Sequence, residues 1–145
     1  MPLRALRLSE LLDAVGARTP APASGAAAAL TGALAAALVE LAARFADEPG
    51  AVEAAGAHRA RLLELADADS AAYAAFLADR SEAARARTIE IPLEIAAEAD
   101  AVTALAARVR AGLTSAVAGD AEAGGELARS AAAVARRLAE LNRPA

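Results

Sequence analysis

Cysteine and tryptophan are absent from the 145 residues, and aromatic side chains make up only 2% of them. Without cysteine there is no disulfide, no thiolate nucleophile and no cysteine-based metal site. With so few aromatic and β-branched residues, strands have little to be built from. Lysine is missing as well: all 15 of the Lys-or-Arg positions are arginine, set against 19 acids for a net charge of −4. That balance argues against a nucleic-acid partner, which needs a basic face to displace counterions. The opening residues, "MPLRALRLSELLDAVGAR", carry a charge every few positions and lack the apolar core of a secretory signal, which points to the cytoplasm.

What the chain has is alanine, about a third of all residues, and alanine is the best helix former. An all-α fold follows, a single helical bundle of about five helices. Alanine buries little area, at roughly 25 cal/mol per Å², so stability must come from many close helix contacts, and self-association would add more of them.

Leu3, Leu6, Leu11, Leu12 and Val15 recur at helical spacing and predict an amphipathic first helix that ends at Gly16. Pro20 and Pro22 then force extended backbone. A second helix is expected from Ser24, a possible N-cap, to Ala46. Its uncharged run approaches membrane-span length. Alanine contributes little to insertion, however, and Glu40 and Arg44 follow in the same helix, so a fully buried helix of a bundle fits better than a span. Gly25, Ala29 and Gly32 form a small-residue stripe for a close neighbour. "DEPG" reads as a turn. Further helices are expected over 51–79, over 81–111 with a kink or restart at Pro92, and over 120–142 with Asp120 as N-cap.

Few side chains can carry chemistry. The lone His58 has no second histidine or acid at ligand spacing and reads as solvated. Arg136 and Arg137 read as a solvated face, or as a grip on an anionic substrate. Asp67 and Asp69 stand mid-helix, where aspartate is a poor former. Such aspartates are usually exposed, but the company of Tyr73 and Phe76 makes Asp69 a candidate to line a site. Asp120 is explained by capping alone, worth about 1 kcal/mol. As an acid/base it would need burial to raise its pKa towards neutrality.

Four landmarks in order go further: "TPAP" leading into "AAAALTGALAAALVELAARF", then "DADSAAYAAFL", "IPLEIAAEA" and "SAVAGDAEAGGELARSAA". Together they resemble the cyclodeaminase/cyclohydrolase family, which includes formimidoyltetrahydrofolate cyclodeaminase and bacterial methenyltetrahydrofolate cyclohydrolases. The resemblance spans nearly the whole chain and implies one helical domain over 1–145. It also implies a homodimer that works on one-carbon derivatives of tetrahydrofolate with neither metal nor other cofactor, and with no nucleic-acid or membrane partner. By position, Asp120 matches the family's aspartate and Asp69 the acid of the third-helix landmark. Pro22, Ser24 and Gly25, with Tyr73 and Ser115, are the implied substrate contacts.

The departures are specific. Where the family reads Pro-Gly-Gly-Gly-Ser, this chain has Pro22-Ala23-Ser24-Gly25-Ala26, which limits how closely backbone N–H groups can approach a ligand. The family's lysine-rich patch is replaced by "ADEPGA", and its asparagine-containing segment reads Gly112-Leu113-Thr114-Ser115. The chain ends just past Asn142, where a final family helix is expected to be missing. A non-catalytic helical dimerisation protein that kept the fold and lost the folate site is the alternative to the enzyme.

Overall fold

The computed structural model describes residues 1–145 and contains helices alone. A 3-10 turn over Leu3–Ala5 precedes α1 (Leu8–Gly16), α2 (Ser24–Phe45), α3 (Pro49–Asp79), α4 (Glu82–Ala111) and α5 (Ala118–Asn142). The expected all-α bundle of five helices is what forms. Short connections make α2 to α5 run alternately up and down. One end therefore gathers the start of α2, the end of α3, the start of α4 and the end of α5. The other end gathers their opposite termini.

α2 packs against α3, α4 and α5. Only Leu62, Leu65, Ile91, Ile95, Val39, Val102, Val109 and Pro92 are large and fully buried; alanines supply most of the remaining core. Packing is correspondingly tight. A Cβ built on Gly124 of α5 would lie 2.9 Å from Val39 Cγ2 and 3.1 Å from the Ala35 carbonyl of α2. In the stripe expected on α2, Gly32 receives the Leu62 side chain and Gly25 receives Asp69. The closest backbone approach thus belongs to Gly124.

Several local expectations are corrected. α1 begins at Leu8, because Leu6 and Arg7 are extended and the Leu3 N–H is held by Asp67 Oδ1 at 2.6 Å. Pro49 and Gly50 open α3, with proline at the position where a missing N–H costs nothing. The turn falls before them, at Asp47, whose φ is 55°. Pro92 does not restart a helix: α4 is continuous through it.

α2 is long and apolar enough to cross a membrane by length and composition, but 56% of its most apolar window is buried among the other helices. It is not buried all round: Leu34, Leu41 and Phe45 stay exposed along one face, as do Val134 and Leu141 on α5.

Candidate functional site

The N-terminus of α2 leaves backbone N–H groups without helical partners. Ser24 does not cap them, since the N-cap is Ala23, which has no side chain to do so. The carboxylate of Asp69, from α3, takes that place. It lies so close over Gly25 that an added Cβ would stand 2.2 Å from Oδ2 and 2.3 Å from Oδ1. Glycine at 25 is therefore a condition for Asp69 to be where it is.

Burial pushes the Asp69 carboxyl up to about 6, against the opposing pull of the Ala26 backbone N–H. A carboxyl with that value exchanges protons readily near neutral pH, as acid/base work requires. It borders a cleft of about 180 Å³ shared by Pro20, Ala21, Ala23, Ser24, Gly25, Tyr73, Thr88, Leu138 and Asn142. Asp69 is the only charged residue in this lining.

Of the residues singled out in the sequence, Asp69, Ser24, Gly25 and Tyr73 meet here, and Pro22 lies within the loop that forms one wall. Ala21–Pro22 is a cis peptide bond. Asp120 and Ser115 are not brought to the cleft. Asp120 lies in the first turn of α5, 18 residues before Leu138, so about 27 Å away along the helix at 1.5 Å per residue. It is not the N-cap, which is Val117. A carboxylate in this first turn complements the helix dipole. Ser115 is exposed in the turn between α4 and α5, at the same far end.

Asp67 faces elsewhere and ties down the N-terminal turn, with Arg4 Nε 3.7 Å from its Oδ2. His58 is not simply solvated: its Nδ1 lies 2.6 Å from Glu98 of α4, a partner 40 residues away that helical spacing could not reveal. Arg136 pairs with Asp100 and Arg137 with Glu140.

Thr88, Leu138 and Asn142 are the cleft residues that the sequence did not offer. A signal existed in Pro92, which leaves the carbonyl four residues earlier without a helical donor. That carbonyl belongs to Thr88, and Asn142 Nδ2 donates to it at 2.8 Å. Asn142 carries the only carboxamide side chain in the sequence.

The chain matches the family described as formiminotransferase-cyclodeaminase over residues 7–145. Among solved structures, it resembles a formiminotetrahydrofolate cyclodeaminase from Thermotoga maritima, with a TM-score of 0.90 and 24% identity. The likeness covers 97% of this chain and 79% of that one, and is a likeness of fold. A search of curated proteins finds no match.

Proposed function

The chain belongs to the formiminotransferase-cyclodeaminase family, and on that premise we propose that it releases ammonia from a formimino-substituted tetrahydrofolate, with Asp69 as acid/base. The observation that carries this reading is a single ionisable carboxyl, raised to about 6, in a cleft at the start of α2. In the reaction a folate N–H nitrogen attacks the carbon of the protonated formimino group, –CH=NH2+, and becomes bonded to it. The attacking nitrogen loses its proton, the former imino nitrogen gains one, and the C–N bond to ammonia breaks to leave the cationic methenyl bridge. One carboxylate suffices for both transfers: it takes the proton from the attacking nitrogen and hands it to the leaving one. Its negative charge also favours the cation on either side of the step. The same group serves the related hydrolysis of a methenyl bridge, by taking a proton from water.

A cleft of about 180 Å³ is smaller than the several hundred Å³ of most ligand pockets, so it takes the reacting end of the substrate. A shallow groove sharing Ser24 and Leu138 with it continues past Val134, Arg137 and Leu141. Arg137 there suits the anionic tail of a folate. Exposed Val134 and Leu141 of α5 in this groove, with Leu34, Leu41 and Phe45 further along α2, support a homodimer.

The test is the near-ultraviolet absorbance of methenyltetrahydrofolate, followed with released ammonia, when purified protein meets formiminotetrahydrofolate. Asp69→Asn is expected to remove the activity. Turnover no faster than buffer for the wild type contradicts the proposal.

A further inference from the structure

Pro92 has no N–H to return to the Thr88 carbonyl, and Asn142 replaces it from the last residue of α5. The replacement fixes the carboxamide: its nitrogen faces Thr88, so Oδ1 is the amide's free acceptor. The helix end itself is held by Arg85 Nη1, which donates to the Asn142 carbonyl at 3.4 Å. The Thr88 hydroxyl is engaged with the Arg85 carbonyl at 2.7 Å. Asn142 and Asp69 line the same cleft, together with the Tyr73 and Ser24 hydroxyls, and no arginine or histidine joins them. The lining is therefore rich in acceptors and negatively charged.

We propose that Asn142 is a substrate-positioning residue, and that with Asp69 it selects a planar ligand group bearing N–H donors on two nitrogens of one carbon. A carboxylate matches such a pair bidentately, and the fixed amide oxygen supplies an acceptor on a second side. An amidinium has this chemistry, and so has the edge of a 2-aminopyrimidinone ring. A formimino-folate carries it in the ring edge alone, because the formimino carbon's second nitrogen is fully substituted and has no N–H. The inference rests on the reading of this cleft as the folate site, but its test needs no turnover.

Calorimetric titration with acetamidinium chloride and, separately, with pterin distinguishes the two sources. One of them is expected to bind the wild type, with affinity reduced by at least about tenfold in Asp69→Asn and in Asn142→Ala. Binding of acetamidinium alone assigns the Asp69–Asn142 pair to a small amidinium and not to the folate ring, and binding of pterin alone places the ring edge there. If neither binds, the proposal is overturned.

Asn142→Ala also strips the Thr88 carbonyl of its donor, so a second variant separates positioning from structure. In Pro92→Ala/Asn142→Ala the new backbone N–H of residue 92 satisfies Thr88 within the helix. Thermal stability is expected to recover while probe binding stays lost. Recovery of binding together with stability would show that Asn142 is merely structural. Probe binding without folate turnover would sink the catalytic proposal and leave this one standing.

Discussion

The carboxylate of Asp69 occupies the space that a side chain on Gly25 would need, with Oδ2 2.2 Å from where the Cβ would be. Residues 44 positions apart are thereby bound into one requirement. The glycine admits the acid to the start of α2, where the Ala26 N–H acts on its carboxyl and Ala23 has no side chain to cap the helix.

Gly25→Ala should therefore act on the site more than on the fold. The new methyl must rotate Asp69 away, while alanine gains helix propensity of up to about 1 kcal/mol. Displacing a catalytic group by an ångström or so is expected to lower kcat/KM by about a hundredfold, with the melting temperature moved by only a few degrees. Steady-state kinetics beside thermal denaturation measure both.

Asp69 should also depress stability at neutral pH. Its folded-state pKa of about 6 lies above the ordinary 3.8, so between these values the folded chain holds more protons than the unfolded one. Stability contributed by the protonated form is thus lost as pH rises through that window. Asp69→Asn, which stays neutral, is expected to be more stable than the wild type at pH 7.5 by on the order of 2 kcal/mol, allowing for partial exposure. At pH 3.5 the two should agree. Urea unfolding at both pH values tests this.

The pH dependence of catalysis follows from the same group. The proton-accepting form of Asp69 is the ionised one, so kcat/KM should be flat above neutrality. It should fall towards tenfold per pH unit below about 6. A profile unchanged down to pH 4.5 would exclude Asp69 as the base.

The α2–α5 contact makes a prediction about packing alone. Gly124→Ala must overpack against Val39 and the Ala35 carbonyl, at a cost of about 1–3 kcal/mol. Gly119→Ala, on the same helix with nothing within 4 Å of its new Cβ, should be neutral or stabilising by up to about 1 kcal/mol. Denaturant midpoints of the two variants should move in opposite directions or differ clearly.

Helix content was legible in the sequence because alanine is the best helix former and dominates window after window, and the Arg80–Ser81 and Ala46–Glu48 breaks left only short connections. Helix starts were harder to read, because their caps come from distant residues. Ser24 looked like a cap, yet Asp69 holds that end of α2. Asp120 looked like one too, yet Ala118 and Gly119 join α5 ahead of it. Asp69, Gly25, Ser24 and Tyr73 could be named from local company and from resemblance. Asn142 could not, because the unsatisfied Thr88 carbonyl that calls for a donor does not say where along the chain it comes from. Resemblance by position offers Asp120 as well as Asp69, because position along a chain carries no information about which end of a bundle a residue occupies.

If the chemistry belongs to the Asp69 cleft at one end of the bundle, the measurement that shows it most directly compares two carboxylates. Formiminotetrahydrofolate turnover should be abolished in Asp69→Asn and largely kept in Asp120→Asn, which lies about 27 Å away along α5. Turnover kept in Asp69→Asn and lost in Asp120→Asn would contradict the account.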